Sequence, residues 1–304
     1  FLKRTVNSKE QLKKQINLQD LGSLPYVKAK KRKNETYNTL CILNERIAPA
    51  YDEAIRRLRI RVMKEAEEHG GVIMVTSSIP GEGKTTIAVN LAVALARQGK
   101  SVILADCDPR NPSVAGVLNN TGKHPGIGAV LRGKTHLEAA LADSGLPGME
   151  LRILFGGRPN TDDAALLGSA KMEEAVRAMR EMADYVILDT APADLLADAS
   201  QLAKYVDSVL YVVRCDYTKI NKIRGGIESL SMRDVNIMGY VFNGDVNQKL
   251  NRYGYGYGYG YGYGRYGSYG RYGHYGRYGS YSRYGKKYKD TGRREDESGR
   301  VIKE

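Results

Sequence analysis

Residues 71–99 read "GVIMVTSSIPGEGKTTIAVNLAVALARQG", and this stretch combines three elements of one structural unit. It opens with an apolar run that is rich in β-branched residues and is typical of a buried strand. A loop with two glycines follows, and it leads into a run with helical spacing that stops at a glycine. The order of strand, glycine-rich loop and helix predicts a phosphate-binding loop.

The loop "SSIPGEGKTT" holds the residue types that bind nucleotide phosphates. Glycines let the backbone turn tightly and point N–H groups inward, and the positive end of the following helix dipole faces the same place. We expect Lys84 to reach the β- and γ-phosphates and the Thr85 hydroxyl to bind Mg²⁺. The predicted nucleotide contacts are Gly81, Glu82, Gly83, Lys84, Thr85 and Thr86.

The loop departs from the strict pattern G-x-x-x-x-G-K-[ST], because Ser78 stands where the first glycine is expected. Backbone N–H groups supply most of a phosphate cradle, so this departure does not exclude the prediction. The competing interpretation is a plain turn that leads into a helix.

Three aspartates end buried-strand patterns elsewhere in the chain. Asp106 and Asp108 lie in "VILADCDPR", two residues apart, so alternation puts both carboxylates on one side of an extended chain. Asp189 ends the apolar run in "YVILDTAP". In an open α/β sheet ligands bind beyond the carboxyl ends of the strands, and carboxylates suit Mg²⁺. We therefore expect all three to converge on the loop; the competing interpretation is that they cap helices.

Strand patterns alternate with helical ones through the middle of the chain. Residues 71–78, 101–108, 184–192, 208–214 and 236–243 read as strands, and residues 85–99 and 172–183 read as helices. Continuous apolar strands between helices predict a doubly wound, mainly parallel sheet of the P-loop NTPase class. Asn243, at the end of one strand, is a candidate for the adenine pocket.

Composition divides the chain into three predicted regions: a basic juxtamembrane linker at 1–40, a P-loop domain at 41–248 and a disordered tail at 249–304. The tail holds 13 Lys/Arg and 5 Asp/Glu, which is +8 of a total charge of +13. Its Tyr/Gly/Arg repeats offer little to bury.

The chain starts at Phe1 with no apolar run of spanning length, and we expect it to be the cytoplasmic part of a longer protein. Three cysteines without C-x-x-C spacing indicate neither a disulfide framework nor a zinc site.

The motifs "GEGKTT", "ILADCDPR" and "VILDTAP", followed by a tyrosine-rich tail, resemble the bacterial tyrosine autokinases that govern capsule and exopolysaccharide production. The resemblance runs from about residue 50 to the end. Upstream, "KEQLKKQINLQDLGSLPYV" is similar to the segment after the second membrane helix in members fused to a polysaccharide co-polymerase. The resemblance implies an ATP- and Mg²⁺-dependent protein tyrosine autokinase on the cytoplasmic face of the bacterial inner membrane.

The resemblance also implies roles for the motif residues. Lys84 and Thr85 bind phosphate and magnesium, Asp106 is the base or orienter for the incoming tyrosine hydroxyl, and Asp108 and Asp189 help to hold Mg²⁺. Phosphoryl transfer depends mostly on positioning and charge neutralisation, which agrees with this assignment. Lys84, Asp106 and Asp108 are the predicted catalytic residues.

A family E-x-x-R-x-x-R helix corresponds to Glu53, Arg56 and Arg59 in "YDEAIRRLRIRV". Spacings of three put these side chains on roughly one helix face. By resemblance this face contacts the next subunit in a homo-oligomeric ring, an octamer; the competing interpretation is a solvated charged face. Further implied partners are a membrane co-polymerase segment on the same or a separate chain and polysaccharide-synthesis enzymes, with no specific nucleic acid.

The tail holds 14 of the 22 tyrosines, and the resemblance makes these the phosphoacceptors. They are Tyr253, Tyr255, Tyr257, Tyr259, Tyr261, Tyr263, Tyr266, Tyr269, Tyr272, Tyr275, Tyr278, Tyr281, Tyr284 and Tyr288. A tail that feeds the next active site would be phosphorylated in trans within the ring.

Two other functions compete with this prediction. ATPases that position division sites or partition plasmids share the fold and the three motifs, but they carry a lysine where this chain has Ile79. The tail could also make an NTPase a polyanion or RNA binder, because arginine and tyrosine contact phosphates and stack on bases. The sequence contains no recognisable nucleic-acid-binding module.

Overall fold

Strands and helices alternate along the chain as predicted, and the computed structural model arranges the helices around one sheet. The structure describes residues 5–28 and 36–247. Within these residues the strands are β1 (Asp20–Pro25), β2 (Val72–Ser77), β3 (Val102–Cys107), β4 (Leu141–Asp143), β5 (Leu151–Leu154), β6 (Tyr185–Thr190), β7 (Ser208–Arg214) and β8 (Asn236–Asp245).

The helices of the described residues vary widely in length. They are α1 (Lys9–Gln15), α2 (Pro49–His69), α3 (Lys84–Ala96), α4 (Val114–Val117), α5 (Ile127–Leu131), α6 (Leu137–Ala140), α7 (Ala170–Met182), α8 (Ala197–Leu202) and α9 (Ile220–Ser231). Short 3₁₀ helices span Asp162–Gly168 and Ala203–Tyr205. The helices predicted at 85–99 and 172–183 are confirmed as α3 and α7.

The described strands form one sheet in the order β1-β8-β7-β2-β6-β3-β5-β4. Each neighbouring pair is parallel except β4 and β5, which are antiparallel. The strand β2 is central, and the chain builds outward from it first toward β3 and later toward β7 and β8. This order confirms the doubly wound, mainly parallel sheet, and the five predicted strands are β2, β3, β6, β7 and β8.

Two apolar layers cover the two faces of the sheet. Ile73 and Val75 of β2 pack with α2 and α3 on one face, and Val72 and Met74 pack with α7 and α9 on the other. Alternate residues of one strand thus serve opposite layers, so β2 is apolar without interruption. The helix α3 lies deepest, because only Thr86 of its thirteen residues is not buried.

The prediction of a linker at 1–40 was wrong for residues 5–28. The strand β1 pairs in parallel with β8 at the edge of the sheet, where Leu24 lies opposite Asn243. Leu12, Leu21 and Leu24 are fully buried. The β1 sequence "DLGSLP" contains a glycine and a proline, which argue against a central strand but are tolerated at an edge.

Some predictions fall outside the described residues. These are the boundary at 248–249, the tail and its fourteen tyrosines. In the parts of the chain that the structure describes, each helix is too short or too polar to cross a bilayer.

Candidate nucleotide-binding and catalytic site

The phosphate loop, residues 78–83, connects the end of β2 to the start of α3 as the sequence predicts. Gly81 and Gly83 have φ angles of 88° and 96°, a left-handed backbone that glycine adopts without strain. A Cβ at Gly81 would lie 2.6 Å from the Tyr217 hydroxyl, and one at Gly83 would collide with the Asn243 amide. Both glycines are therefore required by conformation and by space.

Lys84 lies at the centre of the predicted constellation. Its Nζ is 3.4 Å from Asp108 Oδ2 and 4.0 Å from Asp189 Oδ1, and it donates to Thr85 Oγ1 at 3.5 Å. The lysine side chain is 10% exposed and both carboxylates are fully buried. The structure therefore brings together four of the predicted site residues at the first turn of α3.

Asp106 lies beside this group but is held by backbone. Its Oδ2 accepts from the N–H groups of Ser113 and Val114 at 2.8 and 3.0 Å, and its Oδ1 accepts from Asp108 N at 3.3 Å. Because α4 begins at Val114, the interpretation of a helix cap fits Asp106 in this conformation. Burial raises the pKa of Asp106, and the nearby charge of Asp189 raises it further.

Asp189 is the member of the site whose polar atoms are left unsatisfied. Both of its carboxylate oxygens are buried and have no hydrogen-bond partner among the described residues. Burial raises the pKa of Asp189 to about 6, against the lowering effect of the Lys84 charge. Lys84 Nζ lies 4.0 Å from Oδ1, a long contact for a buried carboxylate, so this position favours binding of a further cation.

The oxygen ligands available at this position suit Mg²⁺. Asp108, Asp189 and the Thr85 hydroxyl offer hard oxygen ligands, and Mg²⁺ is usually held by one or two carboxylates together with substrate phosphates and water. Within residues 5–28 and 36–247, no group of three or more His, Cys, Asp or Glu residues forms a site for a metal ion. A site made of three or more such side chains is unnecessary for a cation that also binds phosphates.

The side chain of Glu82, one of the predicted nucleotide contacts, is bound within the protein. That side chain is fully buried, and it accepts from Ile79 N at 2.9 Å, Arg214 N at 3.2 Å and Thr218 Oγ1 at 2.5 Å. Burial raises its pKa to about 7, and these hydrogen bonds oppose the rise. Only the backbone of Glu82 remains for phosphate contacts.

Asn243 contacts the phosphate loop from the end of β8. Its Nδ2 donates to the Glu82 carbonyl at 2.7 Å. This contact puts Asn243 against the backbone of the loop, and its place in an adenine pocket stays a prediction.

The α2 residues predicted at a subunit interface have different polar partners within the described residues. Glu53 pairs with Arg57, and Arg56 pairs with Asp52, each one helical turn away. Arg59 donates to the Ala94 carbonyl of α3 at 3.5 Å. The buried Nε of Arg59 has no hydrogen-bond partner in the part of the chain that the structure describes.

Several residues near the site were given no role from the sequence. Arg110 is bound to the buried Asp198 by two hydrogen bonds of 2.7 and 3.3 Å, which ties the segment after β3 to α8. Arg214, Tyr217 and Thr218 contact the phosphate loop from the end of β7. The signals in the sequence are the place of Arg110 in the motif "ILADCDPR" and the position of Arg214 at the carboxyl end of a predicted strand.

Comparison with known proteins decides the family. The family described as "CobQ/CobB/MinD/ParA nucleotide binding domain" matches residues 73–252, more than half of the chain, and the chain belongs to it. Over 185 residues the chain is 37% identical to the tyrosine-protein kinase YwqD of Bacillus subtilis, a match that covers 60% of this chain and 76% of YwqD. The chain is a bacterial tyrosine-protein kinase by family.

Other relatives agree with this assignment. The kinase is 28% identical over 209 residues to the tyrosine-protein kinase CpsD of Streptococcus agalactiae, covering 69% of this chain and 88% of CpsD. Its fold matches the kinase domain of the Escherichia coli tyrosine kinase ETK with a TM-score of 0.71 at 23% identity, over 83% of this chain and all of that domain. The kinase relatives favour a tyrosine kinase over a positioning or partition ATPase.

Proposed function

We propose that this kinase transfers the γ-phosphoryl group of ATP to the tyrosines of its own C-terminal cluster, between Tyr253 and Tyr288. The observation that supports this most is the position of Lys84 between the buried carboxylates of Asp108 and Asp189 at the first turn of α3. The family relationship supports the choice of tyrosine as the acceptor. The fourteen tail tyrosines supply acceptors on the same chain.

The residues of the site divide the work of phosphoryl transfer. Backbone N–H groups of the phosphate loop and the dipole of α3 bind the phosphates, and Lys84 neutralises charge on the group that moves. Thr85, Asp108 and Asp189 would hold Mg²⁺, which when bound adds positive charge between the phosphates. The bond between the γ-phosphorus and the oxygen of ADP breaks as the tyrosine oxygen bonds to that phosphorus.

Asp106 aligns the acceptor hydroxyl and takes its proton. The ordinary pKa of a tyrosine is about 10, so the hydroxyl keeps its proton until the transfer is under way. Asp106 is buried beneath Ser113 and Val114, whose N–H groups bind its carboxylate. An ionised carboxylate can accept about four hydrogen bonds, so Asp106 can accept from the tyrosine hydroxyl while it keeps these two.

Transfer takes place between subunits of a ring, which we propose to be an octamer. The charged face of α2 that holds Glu53, Arg56 and Arg59 is the proposed contact. The buried Nε of Arg59, which lacks a partner among the residues described, supports an acceptor that comes from a neighbouring chain.

We place the ring at the cytoplasmic face of the inner membrane, bound to a co-polymerase segment, where it regulates capsular or exopolysaccharide polymerisation and export. Polysaccharide-synthesis enzymes are possible further substrates.

Incubation of the full chain with Mg-ATP, followed by phosphotyrosine detection and mass spectrometry, tests the proposal. We expect phosphate on residues between Tyr253 and Tyr288, and none in a Lys84→Met variant. A variant with the fourteen tail tyrosines changed to phenylalanine should bind ATP but remain unmodified in the tail. A chain that binds ATP and yields no phosphotyrosine would overturn the proposal that the protein is an autokinase.

A mixture of variants tests transfer between chains. The Lys84→Met chain keeps its acceptors and lacks the essential lysine, whereas the tail-phenylalanine chain keeps the active site and lacks acceptors. Phosphotyrosine on the Lys84→Met chain in the mixture requires transfer between chains. A wild-type chain that is modified while the mixture stays unmodified would mean transfer within one chain.

A further inference from the structure

Three consecutive carbonyl groups of the phosphate loop are bound by side chains from outside the loop. The Tyr217 hydroxyl donates to the Pro80 carbonyl at 3.1 Å. A guanidinium nitrogen of Arg214 donates to the Gly81 carbonyl at 2.8 Å, and the Asn243 amide donates to the Glu82 carbonyl at 2.7 Å. The donors come from the ends of β7 and β8 and from the segment that follows β7.

The Glu82 side chain fixes the same loop from within. Its carboxylate accepts from the Arg214 backbone N–H and from the hydroxyl of Thr218, which is fully buried. It also accepts from Ile79 N, at the start of the loop. Arg214 therefore contributes through both its backbone and its side chain. We call Arg214, Tyr217, Thr218 and Asn243 the loop clamp.

The direction of these carbonyls determines the direction of the phosphate-binding groups. A trans peptide is planar, so its carbonyl and its N–H point to opposite sides. Holding the carbonyls of residues 80, 81 and 82 toward the loop clamp turns the N–H groups of residues 81, 82 and 83 away from it. These are the groups that a phosphate-binding loop directs at its ligand.

Two members of the loop clamp also contact each other. The guanidinium group of Arg214 lies over the ring of Tyr217, with 4.7 Å from the guanidinium carbon to the ring centroid. The phosphate loop has Ser78 at the position where the strict pattern has glycine, and side chains from the ends of β7 and β8 and from the segment after β7 bind its carbonyl groups.

We infer that Arg214, Tyr217 and Asn243, together with Glu82 and Thr218, are positioning residues that preorganise the phosphate loop for nucleotide. The inference rests on the proposed function only in that the loop binds the phosphates of ATP. Preorganisation acts mainly on affinity, since a loop that is already ordered loses less conformational entropy on binding. Removal of one ordinary hydrogen bond corresponds to about a 3- to 10-fold change in affinity.

The test compares two tyrosine-to-phenylalanine variants of the full chain. Tyr217→Phe removes the hydroxyl that binds the Pro80 carbonyl and keeps the ring. Tyr205→Phe is the matched control, because the Tyr205 hydroxyl also donates to a backbone carbonyl, that of Gly168 at 3.0 Å, but lies in a different segment. Titration calorimetry with Mg-ADP gives the Kd, thermal unfolding gives the Tm, and steady-state phosphorylation gives KM and kcat.

We expect Tyr217→Phe to raise the Kd and the KM for ATP about 3- to 10-fold while kcat changes less than about 2-fold. Tyr205→Phe should leave Kd and KM unchanged. Arg214→Gln should weaken binding more than Arg214→Lys, which keeps a donor and a charge. Equal Kd values for wild type, Tyr217→Phe and Arg214→Gln would overturn the inference. Failure of the wild type itself to bind Mg-ADP would instead overturn the proposed function.

Discussion

Burial determines the electrostatic state of the acidic residues at the site. Glu82, Asp106 and Asp189 are all fully buried, yet each has a different set of neighbours. Glu82 and Asp106 accept backbone hydrogen bonds, whereas the Asp189 carboxylate has no hydrogen-bond partner within the described ranges. The protein thus retains a buried carboxylate, with a long contact of 4.0 Å to Lys84 Nζ, at the position proposed for Mg²⁺, and it does so at a cost in stability.

Replacing Asp189 should separate stability from activity. Asp189→Asn removes the buried charge and leaves Lys84 next to Asp108, so the free energy of unfolding without nucleotide should rise by about 1–3 kcal/mol at pH 8. Phosphoryl transfer should fall about 100-fold or more, because a ligand to the proposed cation is lost. Urea unfolding and the rate of tail phosphorylation measure the two effects. A clear loss of stability would contradict this account of Asp189.

Residue type and position predicted which groups meet, but not which way each side chain points. Lys84, Thr85, Asp108 and Asp189 follow from strand ends that share one sheet edge. Glu82 lies in an irregular loop without periodicity, so nothing in the sequence indicates that its carboxylate turns inward toward Thr218. Arg214 and Tyr217 likewise act through contacts that depend on the finished sheet.

At the scale of elements, the edge strand β1 is the principal addition to what the sequence predicts. Five central strands are long apolar runs, and periodicity is sufficient to identify them. The strands β1, β4 and β5 are short or contain glycine and proline, and they form because a neighbouring strand supplies their hydrogen bonds. Tertiary pairing, which local sequence does not encode, decides such elements.

The strand β1 should contribute to stability as a core strand would. Leu24 is fully buried in the layer that includes α2, so Leu24→Ala should lower the free energy of unfolding by about 2–5 kcal/mol. Ile60→Ala is the control, because Ile60 lies on α2 and is 59% exposed. Its effect should stay within about 0.5 kcal/mol. Denaturant unfolding measures both, and equal effects would mean that β1 packs only loosely.

At the scale of the whole molecule, the buried carboxylates make stability depend on pH. The pKa of Glu82 rises from 4.5 to about 7, and the pKa values of Asp106 and Asp189 are also raised. Between the ordinary and the raised values, the native state binds more protons than the unfolded state. The free energy of unfolding therefore falls as pH rises through this window.

Without nucleotide, we expect the protein to be more stable at pH 5.5 than at pH 8, with Glu82 alone accounting for on the order of 2 kcal/mol. Urea unfolding at intervals of half a pH unit measures the slope. An Asp106→Asn, Asp189→Asn double variant should flatten part of it, since two of the raised groups are then absent. A free energy of unfolding that increases steadily between pH 5.5 and 8 would contradict the assignment of the pH dependence to the buried carboxyl groups.

The deep burial of α3 has a consequence for amide hydrogen exchange. Twelve of its thirteen residues are buried between the sheet and α2, so its amides should exchange with deuterium only when the whole folded unit opens. Tyr217 is 42% exposed, so the segment that follows β7 can open locally at a smaller free energy. The two sides of one phosphate loop therefore exchange on different timescales, and bound nucleotide slows the faster side.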